Sequence, residues 1–226
     1  MNNKDIIKAT FDSPKIVALV GDTNSGKSNT LYWIINTLRE VGDFNLYTYG
    51  LRVPVENSTE IYSTGELEQI QDSIVVLDEV MTMWNLDDRK NKQSIENSLR
   101  LIHHNNNILL LSMLPENLKK FIASKVNTYI FKRCTLPDFI NGSVAKRIAE
   151  AYAGPERGSI VLNLPDDLAM LYALHYFKFK VPYMKQYDTK LTNEPIIKNL
   201  SRKTSKETSG KTSEKVSQLN IVKGGQ

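Results

Sequence analysis

The chain has 226 residues, a mass of 25.7 kDa, 41% hydrophobic and 24% charged residues, and a net charge of +4. This suits one domain with a sizeable core and excludes wholesale disorder, and no apolar run approaches the ~20 residues of a membrane span. The single cysteine, Cys134, excludes an internal disulfide framework and a multi-cysteine zinc site. The charge is unevenly placed. Residues 190–226 hold eight basic and three acidic residues, a net +5, while residues 1–189 hold 21 basic and 22 acidic, a net −1. Basicity therefore belongs to the tail and is no argument for a nucleic-acid-binding body. The opening MNNKD lacks the apolar stretch of a secretory signal, so the protein is expected to stay inside a cell.

Residues 1–14 are polar, end at Pro14 and read as a lead-in. Residues 15–20 (KIVALV), closed by Gly21, predict a buried strand. Residues 29–41 carry Leu31, Ile34, Ile35 and Leu38 at helical spacing. Residues 44–53 predict a second strand stopped by Pro54, and 65–71 a short helix. Residues 73–80 (SIVVLDEV) are a third strand, and 92–104 a helix with Ile95, Leu99 and Ile102 inward. Residues 107–114 are a strand, 115–125 a helix opened by Pro115, and 126–133 a further strand. Beyond Pro137 the pattern weakens to a helix at 143–153, a strand at 159–164 and a helix at 166–177. Strands alternating with helices predict an α/β domain on a mostly parallel sheet. The expected organisation is a core at 15–136, a helical and extended addition at 137–189, and a flexible basic tail at 190–226.

Gly21-Asp22-Thr23-Asn24-Ser25-Gly26-Lys27-Ser28 fits GxxxxGK[ST] without a mismatch. It follows a predicted strand and opens a predicted helix, the context that gives the match meaning. The two glycines allow a loop whose N–H groups converge on phosphate oxygens, and the helix start adds its positive end. Residues 21 to 29, with Asn29 closing the segment, are the expected nucleotide-binding set. Lys27 is expected on the β- and γ-phosphates and the Ser28 hydroxyl on Mg²⁺. The apolar strand Ile74-Val75-Val76-Leu77 ends in Asp78-Glu79. Asp78 is placed to hold Mg²⁺ through water, and Glu79 to orient and polarise the attacking water. The adjacent glutamate favours a nucleotide hydrolase over a small-molecule kinase, because hydrolysis needs a base for water. The strand at 44–53, between the two motifs in sequence, agrees with the additional-strand (ASCE) division of phosphate-loop proteins.

Three segments together resemble the FtsK–HerA superfamily of DNA-pumping ATPases: GDTNSGKS, IVVLDE, and SLRLIHHNNN leading into ILLLSMLPENLKKFIASKVNTYIFKR. Within it, the small size is similar to the genome-packaging ATPases of tailless icosahedral viruses with internal membranes, archaeal turreted viruses included. The resemblance covers about residues 10 to 135. It implies a RecA-like ATPase fold, ATP and Mg²⁺ as cofactors, double-stranded DNA as substrate, and a homo-oligomeric, hexameric ring. It also implies a capsid or portal-vertex partner and a place in the host cytoplasm or with the virion. Two positions depart from the family pattern. The sensor strand, which usually ends in Gln, has Met113 there, preceded by Ser112, which becomes the candidate sensor. The turn that often reads Arg-His reads His103-His104. Candidates for an arginine finger are Arg100, Arg133, expected at a sheet edge, and Arg157.

Lys119, Lys120, Lys125, Lys132 and Arg133 form an acid-free stretch that either follows a DNA backbone or is an ordinary solvated face. The turn from His103 to Asn107 is read as an interface or pore loop. Of the aromatic residues Tyr172, Tyr176, Phe177, Phe179 and Tyr183, most are read as core packing rather than nucleic-acid stacking. Two other functions compete with a packaging motor. One is a plasmid or conjugation motor of the same superfamily. The other is a nucleotide-switched assembly protein with little turnover, a reading that Met113 keeps open.

Overall fold

The computed structural model describes residues 2–84, 89–139, 143–173 and 176–188. The chain divides at Met184, and beyond it residues 185–188 are described, formed by the 3-10 turn Lys185–Tyr187 and Asp188. The first element is a helix, α1 (Asn3–Thr10), where a lead-in was expected. The Asn2 side chain accepts from the Asp5 N–H at 2.9 Å, and the Asp5 carboxylate accepts from the Asn2 N–H at 3.3 Å. This reciprocal cap satisfies orphan donors at the helix start. Ile6, Ile7 and Phe11 are buried, so α1 packs on the domain and is part of it.

The first motif strand is β1 (Lys15–Val20), followed by α2 (Lys27–Arg39), β2 (Asn45–Tyr49), β3 (Ser58–Glu60), α3 (Thr64–Leu67) and β4 (Ser73–Leu77). Then come α4 (Arg89–His104), β5 (Ile108–Met113), α5 (Lys120–Ala123), β6 (Thr128–Phe131) and α6 (Leu136–Phe139). The last elements are α7 (Val144–Ala153), α8 (Pro155–Gly158), β7 (Leu168–Tyr172) and β8 (Tyr176–Lys180). The strands form one sheet in the order β3-β2-β4-β5-β1-β6-β7-β8. Every pairing from β3 through β6 is parallel; β6–β7 and β7–β8 are antiparallel.

Parallel strands covered on both faces must be apolar almost throughout, and β1, β4 and β5 are. Ile16, Ala18 and Val20 share one face with Val75, Leu77, Leu109, Leu111 and Met113, against Ile95, Leu99 and Ile102 of α4. The alternate residues, among them Leu19 and Ser112 opposite each other, lie on the face that α2 covers. The strand that separates β1 from β4 in space is β5. The strand expected at 44–53 is the shorter β2, beyond β4, because Gly50 takes a left-handed turn at φ +71°. The ASCE arrangement holds, through a different strand from the one sequence order suggested.

Three elements differ in kind from their expectation. The helix at 115–125 is a 3-10 turn, Pro115–Asn117, followed by the single turn α5. The strand at 159–164 is a 3-10 helix, Ser159–Asn163. The helix at 166–177 is the β7–β8 hairpin, with Met170 paired to Lys178. Residues 168–172 are buried on both faces of the sheet, and such an apolar run has no periodicity to separate strand from helix.

Ile7 is fully buried, so Ile7→Ala is expected to cost about 2–4 kcal/mol, read as a lower urea midpoint at unchanged slope. A passive lead-in would leave the midpoint where it was.

Candidate nucleotide site

The site lies where β1, β4, β5 and β6 end together, the usual place for ligands in an open α/β sheet. The Gly21 N–H donates to the Met113 carbonyl at 3.3 Å and the Asp22 N–H to the Arg133 carbonyl at 2.9 Å. These bonds tie the phosphate loop to the strands on both sides of β1. Gly21 is required by crowding: a Cβ there would sit 2.7 Å from the Lys132 Cβ and 2.8 Å from the Ser25 hydroxyl. Gly26 is required by conformation, at φ +85°. Asn24, at φ +61°, makes the loop's other left-handed turn. The Ser25 hydroxyl donates to the Asp22 carbonyl at 2.8 Å and braces the loop from inside.

The Lys27 ammonium donates to the Gly21 carbonyl at 2.8 Å and the Asp22 carbonyl at 2.7 Å, across the mouth of the loop. Burial lowers its pKa, and Asp78, Glu79 and Asp22 oppose that shift. The Ser28 hydroxyl donates to Asp78 Oδ2 at 2.6 Å. Asp78 is only 2% exposed, and its other oxygen accepts from the Glu79 N–H at 3.1 Å. The expected metal pair is thus in direct contact across 50 residues of sequence. A serine hydroxyl beside a carboxylate is a hard oxygen donor set, which fits Mg²⁺. Among the described residues no cluster of three His, Cys, Asp or Glu could hold a metal ion, so phosphate and water oxygens would complete its shell.

Glu79 is exposed and held at φ +48°, a strained position for a residue with a Cβ. Its carbonyl accepts from the Thr82 N–H and hydroxyl, both at 2.9 Å, and the Thr82 hydroxyl meets the Tyr49 hydroxyl at 3.0 Å. Val80 and Trp84, both buried, anchor the following turn in the core. Gly50 makes room for this corner, since a Cβ there would lie 2.4 Å from the Asp78 carbonyl oxygen. Sequence reading passed over Gly50; its signal was a glycine directly after an aromatic strand.

Other expected residues are distributed differently. Met113 is in the core on the α4 face, away from Asp78. Ser112 is on the α2 face, one step beyond the Leu77–Leu111 pair, as Asp78 is on β4. Its hydroxyl is buried without a hydrogen-bond partner among the described residues. Arg133 is not at a sheet edge, because β7 and β8 lie outside β6, and it pairs with Asp166 at 3.0 Å. Arg100 is exposed on α4, towards the end of the sheet opposite the phosphate loop. The Arg157 side chain lies outside the described residues. The asparagines after His103-His104 serve structure: Asn105, Asn106 and Asn107 bond to Glu68, Asp72, Ile70 and Ser73. Tyr172 and Phe179 are core residues, Phe179 stacking on Trp33 at 5.6 Å.

The basic stretch also needs correction, because Lys132 is fully buried. It lies behind the phosphate loop and donates to the carbonyls of Asp166 at 2.6 Å and Leu168 at 2.8 Å. A Cβ on Gly26 would be 3.3 Å from the Asp166 carbonyl and 3.7 Å from Lys132 Nζ. Lys132 therefore holds the turn before β7 as one wall of the loop. No sequence signal separated it from its exposed neighbours Lys119 and Lys120.

Burial pushes the Lys132 ammonium from 10.5 down to about 8, against the pull of Asp166 and Asp167 and with Arg133 repelling it. Below pH 8 the charge is buried in the folded state, and that cost is present in full. Between about pH 8 and 10.5 the folded state releases its proton before the unfolded one, so stability gains as pH rises. The stability of the wild type relative to Lys132→Met, from urea unfolding at pH 7.5 and 9.5, is expected to increase over that interval. A flat difference would contradict the buried charge.

No protein-family model and no curated protein matches the sequence. Solved structures do. The genome packaging NTPase B204 from Sulfolobus turreted icosahedral virus 2, in complex with sulfate, aligns with a TM-score of 0.58 at 16% identity, covering 75% of this chain and 98% of that one. B204, the DNA-packaging ATPase from Sulfolobus turreted icosahedral virus, aligns at 0.57 and 14% identity, covering 76% of this chain and all of that one. The pCW3 conjugation coupling protein TcpA, as monomer with ATPγS, aligns at 0.54 and 15% identity, covering 85% and 66%. These neighbours are FtsK–HerA-type P-loop ATPases, and the chain has their RecA-like fold.

Proposed function

We propose that the chain is an ATP-hydrolysing motor that moves double-stranded DNA, in its most concrete form packaging a viral genome into a capsid. The observation that carries the proposal is the 2.6 Å contact of Ser28 with Asp78, beneath a phosphate loop and beside an exposed, strained Glu79. Lys27 exchanges its two loop carbonyls for β- and γ-phosphate oxygens. The first-turn N–H groups of α2, which have no i−4 partner within the helix, receive the remaining phosphate charge. Ser28 and Asp78 would hold Mg²⁺, which would supply charge neutralisation at the phosphate oxygens. Glu79 orients the attacking water and accepts its proton. Ser112, a buried hydroxyl, is the chain's own candidate sensor, and a neighbouring subunit in a hexameric ring supplies an arginine. Arg100 suits that role by its exposure, whereas Arg133 would first have to leave Asp166.

The likeness to two viral packaging ATPases supports the packaging form, and the likeness to a conjugation coupling protein supports a DNA motor in general. In this reading the basic tail tethers DNA or a capsid or portal-vertex protein. No described helix is long and apolar enough to cross a membrane. The burial of Met113 in the core favours one second reading, a nucleotide-switched assembly protein, because it leaves the end of the sensor strand without a polar side chain.

Phosphate release measured with and without duplex DNA separates the two. The motor predicts DNA-stimulated turnover, lost by about 10²–10⁴-fold in Glu79→Gln while ATP binding persists. Tight binding without turnover under any condition would favour the switch. Deleting residues 190–226 is expected to spare turnover, weaken DNA attachment and flatten its salt dependence. Unchanged attachment would sink the tether.

A further inference from the structure

The phosphate loop accounts for a triphosphate and leaves the nucleoside unplaced. Lys27 marks the β/γ end of the phosphate chain, so the α-phosphate and the sugar beyond it run along the first turn of α2 towards Asn29. The Asn29 side chain is engaged by another segment. Its Nδ2 donates to the Pro182 carbonyl at 3.0 Å, and its Oδ1 accepts from the Met184 N–H at 2.7 Å. One residue earlier the Val181 N–H donates to the Asp167 carbonyl at 2.7 Å, and Val181 is buried. The strap leaving β8 is therefore fixed at Val181 to the turn before β7, and at Pro182 and Met184 to the Asn29 side chain at the start of α2. Between the two Asn29 bonds sits Tyr183, 59% exposed, with Pro182 exposed beside it.

We propose that Pro182 and Tyr183 form the nucleoside subsite, a reading that rests on the nucleotide site proposed above. Tyr183 offers its ring to the purine base, and Asn29 is the positioning residue that keeps the strap beside the α-phosphate. A clamped backbone lowers the entropy cost of presenting the ring, which is what a stacking platform needs. Stacking is tolerant of base identity because every base has a π-face, so GTP is expected to bind nearly as well as ATP.

Calorimetric titration of the full chain with Mg-ATP, Mg-GTP and Mg-tripolyphosphate tests this. The wild type is expected to bind both nucleotides more tightly than tripolyphosphate. Tyr183→Ala is expected to weaken ATP by about 5- to 100-fold and leave tripolyphosphate unchanged, and Tyr183→Trp to restore ATP binding. Asn29→Ala is expected to weaken ATP by a larger factor than tripolyphosphate. An unaltered ATP affinity in Tyr183→Ala, or equal losses for ATP and tripolyphosphate, would overturn the subsite. A wild type that binds neither ligand would overturn the nucleotide site itself, and the subsite with it.

Discussion

A serine hydroxyl and a carboxylate 50 residues apart meet at 2.6 Å, and most of the fold serves to hold them there. Ser28 is fixed because β1 and the start of α2 are joined by a loop with no room for a side chain at Gly21. Asp78 is fixed because β4 is buried along its whole length and because Gly50 lets the Asp78 carbonyl approach. β5, between them, sets their separation and puts Ser112 on the shared face. The left-handed Glu79 is the local consequence: the chain must turn sharply after Asp78 to free a second carboxylate, and Thr82, Val80 and Trp84 hold the turn.

The C-terminal hairpin belongs to this arrangement and is not appended to it. β7 and β8 extend the sheet past β6, and the turn before β7 closes against Gly26 through the buried Lys132. The strap after β8 returns to Asn29 at the start of α2. The nucleotide loop is thus contacted from its flank by a lysine and from its exit by a strap, both dependent on residues distant in sequence. A positive charge buried behind the glycine loop raises the local potential there without projecting a side chain into the loop's mouth.

What the sequence made legible follows from how local each signal is. The phosphate loop and the acidic strand end are continuous motifs with fixed spacing, so each was legible by itself; the direct contact of Ser28 with Asp78 was not, because it depends on how β1 and β4 sit in the sheet. β1, β4 and β5 were readable because both-face burial writes an apolar run. The hairpin was misread because the same burial writes the same run for β7, and only pairing with β6 decides its state. The role of α1 was missed because a polar helix of eight residues with only Ile6 and Ile7 buried offers too few apolar positions to mark a core-facing side. Lys132 was misassigned because burial of a lysine depends on carbonyls more than thirty residues away, which no local pattern encodes.

The central claim is that nucleotide turnover at Ser28, Asp78 and Glu79 drives movement along duplex DNA. Displacement of a triplex-forming strand from a long duplex tests it most directly. The account predicts displacement that requires Mg-ATP, stops with a non-hydrolysable analogue and is absent in Glu79→Gln. Hydrolysis stimulated by the duplex, with the third strand left in place at every protein and ATP concentration, would contradict it.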